Sequence, residues 1–125
     1  MSIKIDDLAK AVMKELESYS DHLMDDIKRD VKEVATSCRD KIRQNSPVKT
    51  GDYRKGWSSR VAFENNQDIR MEVYNKTDYQ LTHLLEHGHA KTGGGRVPGK
   101  PHIKPAADWA EEQLVKKVEV SVKKG

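Results

Sequence analysis

An α+β fold is predicted on three observations: an unbroken helical stripe of apolar residues from Leu8 to Ile42, a switch to period-two alternation after Lys55, and a return to helical spacing after Pro105. The expected order is a long N-terminal helix, an antiparallel β-hairpin or small sheet, a short helix, a Gly-rich loop and a C-terminal helix. At 125 residues the chain fits one domain. That domain divides into a helical region over 1–45, a β-rich body over 46–105 with a mobile loop at 88–100, and a final helix over 105–120.

The first stripe runs Leu8, Val12, Leu16, Tyr19, Leu23, Ile27, Val31, Val34, Cys38 and Ile42, every step three or four residues. One helix face therefore stays apolar throughout. Asp6 and Asp7 suit the start, and Asn45-Ser46-Pro47 is a stop signal. A continuous helix would span about 55 Å at ~1.5 Å per residue, longer than a body of this size. A break near Ser18–Asp21 is the alternative, because Ser and Asp are weak helix formers. In either form the stripe outruns the rest of the chain, so part of it is expected to pack on another subunit.

From Trp57 the residues Trp57, Ser59, Val61 and Phe63 fall on one face of a strand. Asn65-Asn66-Gln67-Asp68 supplies a turn, and Ile69, Met71 and Val73 alternate on the return strand. Asp78 to His87 reads as a short helix with Leu81, Leu84 and Leu85 inward and Gly88 as its C-terminal cap. Gly88, Gly93, Gly94, Gly95, Pro98 and Gly99 mark the loop. Pro105 opens the last helix, with Ala106, Trp109, Ala110, Gln113, Leu114 and Lys117 at helical spacing. The alternation of Val118, Val120 and Val122 predicts fraying or extended chain at the end.

Composition excludes several classes of function. Net charge is +3, too small by itself to indicate nucleic acid, and residues 1–45 are close to neutral. The stretch Gly88–Ala107 is different, since it holds Lys91, Arg96, Lys100 and Lys104 and no acid. Such a stretch can meet water, an acidic neighbour or phosphate. Cys38 is the only cysteine, so no intrachain disulfide forms, and its place in the helical stripe predicts a small buried group. The start MSIKIDDLAK has acids where a signal peptide has its apolar core. No stretch approaches the ~20 apolar residues of a membrane span.

Two segments resemble catalytic motifs. His83-Leu84-Leu85-Glu86-His87 spells H-x-x-E-H, in which two imidazoles four apart share a zinc ion and the glutamate activates water. Against it stand the shortness of the helix and the lack of an evident third ligand; Glu111, Glu112 and Glu119 follow an ordinary surface pattern. Gly94 to Lys100 fits a phosphate loop up to its last position, where Pro101 replaces the Ser or Thr that holds magnesium. Neither match predicts a catalytic residue, a cofactor or a metal.

Three blocks in order resemble the siphophage head–tail joining or tail-completion family. They are Ser46-Pro47-Val48-Lys49-Thr50-Gly51-Asp52-Tyr53-Arg54-Lys55-Gly56-Trp57; Asp78-Tyr79 with Leu84-Leu85-Glu86-His87-Gly88-His89; and Lys100-Pro101-His102-Ile103-Lys104-Pro105-Ala106. Tyr53 stands where the family has leucine, and His102 where it has an apolar aromatic. The resemblance implies a non-enzymatic structural protein of the virion neck, made in the host cytoplasm, that acts as a ring subunit between the DNA-filled head and the tail. The implied partners are copies of itself, neighbouring head-connector and tail proteins and, through non-specific contact, packaged DNA; a membrane and a small-molecule substrate are not among them. The alternative is a small nucleic-acid-binding module using the basic loop 88–107. Candidate oligomer contacts are Leu8, Val12, Leu16, Leu23 and Ile27. Candidate loop or partner contacts are Glu86, Lys91, Arg96, Lys100 and Lys104, with Glu86 expected to accept loop backbone N–H groups.

Overall fold

A computed structural model describes residues 2–4, 21–47 and 51–124. Three layers stack in it: a sheet, the long helix α1 (Asp21–Asn45), and the C-terminal helix α4 (Lys104–Lys124) on the far side of α1. The sheet has strand order β1-β3-β2 and is antiparallel, with β1 at Ser2–Lys4, β2 at Trp57–Asn65 and β3 at Asp68–Asn75. The sequence reading assigned no strand to the N-terminus, yet Ser2–Lys4 pairs with Glu72–Tyr74 and makes β3 the central strand.

The apolar stripe of α1 is buried from Leu23 through Ile27, Val31, Val34 and Cys38 to Ile42. Period-four spacing alone would cover one side. Here Met24 and Ala35 widen the stripe, so the helix can face the sheet and α4 together. Ser121 on α4 donates to the Asp30 carboxylate at 2.7 Å, and the Cys38 thiol faces the Ala106 carbonyl at 3.7 Å. The chain itself thus covers the described part of the stripe, and no partner is needed there. Helix α1 ends at the predicted stop, where Ser46 turns its hydroxyl back to the Ile42 carbonyl.

A short helix α2 (Asp52–Gly56), to which the sequence reading assigned no element, stands between α1 and the sheet. Gly51 precedes it with φ of 89°, a left-handed conformation that costs a side chain ~1–2 kcal/mol. Strand β3 alternates as predicted, with Ile69, Met71, Val73 and also Asn75 inward. Strand β2 departs from prediction. Trp57 is fully buried, but an irregularity between Val61 and Phe63 slips the register, so that Phe63 pairs with Arg70 and Glu64 with Ile69. A one-residue slip exchanges the faces of a strand. Phe63 is therefore exposed, with the Arg70 guanidinium 5.5 Å from its ring, and Glu64 comes toward α1 to meet Lys28 and Lys32. Val61 keeps its face but lies 44% exposed.

Beyond β3 a 3-10 turn (Tyr79–Leu81) leads into α3 (Thr82–His87). Its inward residues are Thr82 and Glu86, with Leu85 half-buried; Leu81 and Leu84, expected inside, are exposed. The Gly-rich segment is not an irregular loop. It forms a β-ribbon of β4 (Gly88–Ala90) and β5 (Arg96–Pro98). Helix α4 runs on to Lys124 instead of fraying near 120, because Ala106, Ala110, Leu114, Val118 and Ser121 keep a buried edge along its whole length. Trp109 and Gln113 lie half-buried beside that edge, and Lys117 is exposed.

Candidate functional site

Glu86 closes α3 with its side chain turned inward, 4% exposed. Its Oε1 accepts the backbone N–H groups of His102 at 2.7 Å and Ile103 at 2.9 Å, and Oε2 accepts that of Lys104 at 2.9 Å. These donors lie at the start of α4, where the first N–H groups have no carbonyl within the helix. A carboxylate also suits the positive end of the helix dipole. Glu86 therefore caps α4 from another element. Burial by itself would raise its pKa; the three N–H donors, with His102 beside them, outweigh burial and hold the carboxyl below its ordinary value.

His102 is buried next to this cap. Its Nδ1 lies 2.6 Å from the Lys100 carbonyl and 3.0 Å from Glu86 Oε1, and two acceptors there require Nδ1 to carry a proton. Nε2 is 2.6 Å from the Tyr53 hydroxyl, which donates to it when the ring is neutral. Edge-on contacts of 5.8 Å between Tyr53 and Trp57 and 5.6 Å between Tyr53 and His102 complete the cluster. Burial, with a smaller contribution from the Glu86 charge, raises the Tyr53 phenol well above its usual range. Asn75 ties in the sheet: its amide donates to the Tyr53 carbonyl at 2.7 Å, and its carbonyl oxygen accepts the N–H of Asp78 at 2.8 Å.

One residue from each of the three sequence blocks thus meets in a single buried knot: Tyr53, Glu86 and His102. Sequence reasoning gave Glu86 its backbone acceptor role and placed His102 where the family has an apolar aromatic, but missed that they touch. It missed Asn75 altogether; the signal was Asn75-Lys76-Thr77-Asp78, an Asn two residues before a Thr at a strand end. At 4% exposure, Glu86 presents no free carboxylate at the surface of the chain.

The same geometry dismantles the H-x-x-E-H match. His83 and His87 lie on the exposed side with ring centroids 4.8 Å apart, while Glu86 is committed to the interior. No group of three metal-ligating residues occurs among the described residues. The phosphate-loop match fails too, because Gly94 lies in the ribbon turn, Gly99 at the ribbon base, and the next helix begins only at Lys104.

Of the other candidate residues, Lys91, Arg96, Lys100 and Lys104 are all exposed. Arg96 donates to the His87 carbonyl at 2.8 Å and Lys104 pairs with Asp108 at 3.2 Å. Lys91 and Lys100 have no side-chain partner among the described residues. Leu23 and Ile27, expected at an oligomer contact, lie in the chain's own core at 2% and 0% exposure, covered from both sides of α1. Leu8, Val12 and Leu16 lie outside the described residues.

The polar groups of the buried knot bind one another and tie the ends of three elements together. The family model described as "Bacteriophage HK97-gp10, putative tail-component" matches residues 10–88, and the chain belongs to this family of phage tail components. The match spans the Tyr53 and Glu86 blocks and stops before the His102 block. No curated protein and no solved structure matches the chain.

Proposed function

We propose that the protein is a ring subunit of the virion neck that joins the DNA-filled head to the tail, and that it acts through protein contacts without catalysis. Membership of the phage tail-component family is the observation that carries this reading. The distribution of exposed apolar groups supports it. Val61 and Phe63 lie on β2, an outer strand of the sheet; Tyr79 and Leu81 on the 3-10 turn and Leu84 on α3; Val115 and Val120 on α4. Exposed apolar groups on separate elements suit a subunit touched by several neighbours, and a closed ring needs two different surfaces on each copy. The neighbours on this reading are further copies, a head-connector protein and a tail protein, which meet in the host cytoplasm. Deleting the gene from the phage that carries it should leave DNA-filled heads and finished tails unjoined in electron micrographs of the lysate. Normal numbers of joined virions without the gene would end this reading.

A further inference from the structure

A patch on the outer face of α4 and the β-ribbon carry opposite charge, and among the described residues most of that charge is left unpaired. The ribbon and its return strand hold Lys91, Arg96 and Lys100 with no acid. One patch on the solvent face of α4 is lined by Asp108, Glu111, Glu112 and Glu119 around Val115, with Lys116 among them; Lys104 and Lys123 are exposed toward its two ends. Among the described residues Glu111, Glu112 and Glu119 make no ion pair, while Asp108 meets only Lys104. Val115 is 40% exposed at the centre of this face. On the ribbon, Val97 is half-buried beside exposed Arg96 and opposite exposed His89.

The geometry points to a head-to-tail contact in which the basic ribbon of one copy lies on the acidic outer face of α4 in the next. It rests on the ring reading above and names the two surfaces that such a ring requires. Complementary potentials fix which surface meets which and suppress the ribbon-on-ribbon alternative, in which like charges face each other. The apolar centre at Val115 gives the contact a part that water leaves on association. Because two different patches meet, the contact is heterologous and repeats around a ring. Exposed charges attract over about 8 Å at physiological salt, so assembly should weaken as salt rises.

The test uses the full chain in sedimentation velocity at low salt. Lys91→Glu with Lys100→Glu reverses the ribbon; Glu111→Lys with Glu112→Lys reverses the helix face. All four residues are exposed, and circular dichroism checks that the fold survives. Each double variant should associate roughly tenfold more weakly than the wild type. An equimolar mixture of the two should assemble again, because acidic ribbons then face basic helices and basic ribbons face acidic ones. Wild-type rings that ignore both reversals would overturn this contact and leave the ring reading standing. So would a mixture that stays dissociated, or a ribbon reversal that abolishes binding to a DNA duplex but not assembly. A wild-type chain that remains monomeric at every concentration would overturn both readings.

Discussion

The base and the tip of the ribbon are made of the same residue type and stand under opposite constraints. At the base, Gly88 and Gly99 lie back to back. A Cβ on Gly99 would fall 2.5 Å from both the Glu86 carbonyl and the Gly88 nitrogen, and one on Gly88 would fall 2.4 Å from the Val97 carbonyl. These obstacles are backbone atoms and cannot rotate away. Just beneath, the Lys100 N–H donates to the Leu85 carbonyl at 2.8 Å, and Glu86 holds three donors of the incoming α4 chain. At the tip, Gly93, Gly94 and Gly95 have positive φ, but a Cβ on any of them would meet nothing within 4 Å. Glycine at the base makes room for backbone; at the tip it only lets the chain turn. The Glu86 cap explains why the base can be so tight: it sets where α4 begins, and the ribbon closes over that fixed point.

Four measurements would break or sharpen this contrast, beginning with the largest expected effect. Gly99→Val should cost about 3 kcal/mol or more in chemical denaturation, since overpacking against backbone forces the strands apart. Next, Glu86→Ala should cost about 1.5–3 kcal/mol, because it strips an ionised acceptor from buried donors. The acid limb sharpens that result. Glu86 is held below its ordinary value, so its contribution is full above the unfolded carboxyl value near 4.5 and is lost as pH falls through the folded one. Between neutral pH and pH 2 the melting temperature of the wild type should therefore fall more steeply than that of Glu86→Gln, and parallel curves would refute the cap. Third, Gly94→Ala at the tip should cost only about 1 kcal/mol, the local price of a left-handed conformation; a loss as large as at Gly99 would erase the distinction between base and tip. Smallest, His83→Gln combined with His87→Gln should move stability by less than about 0.5 kcal/mol, as expected for surface sites. Stoichiometric zinc in the native protein, lost in this variant, would reopen the metal reading.

The parts legible in the sequence are those where one periodicity met one environment. Helix α1 between Leu23 and Ile42 is legible because every three-or-four step is buried, and β3 because its inward face never changes. The second half of β2 was not legible. Strict alternation placed Phe63 inside, and nothing local announces the irregularity after Val61. The indirect sign was Glu64, which after the slip needs cations on α1 and finds Lys28 and Lys32. Helix α3 misled for another reason: hydrophobicity picks leucines for the inside, whereas the interior there takes a carboxylate, because the donors of α4 are waiting for it. The valines at the end of α4 suggested extended chain, and packing along α1 overrode them. In the knot, the acceptor role of Glu86 and the inward position of His102 were readable one at a time. Their meeting with Tyr53 depends on the path of the whole chain, which no single block encodes.

Cys38 offers an intrinsic clock. Its thiol sits fully buried in the seam between α1 and α4, against the Ala106 carbonyl, and burial pushes its pKa up to about 11. Only the thiolate attacks a disulfide or maleimide reagent, so the folded chain resists labelling on grounds of both access and ionisation. Each modification event then marks a moment at which the two helices part. Labelling rates under native conditions would time the breathing of this seam without any introduced probe. Comparing the free chain with assembled particles would show whether neighbours hold the seam shut.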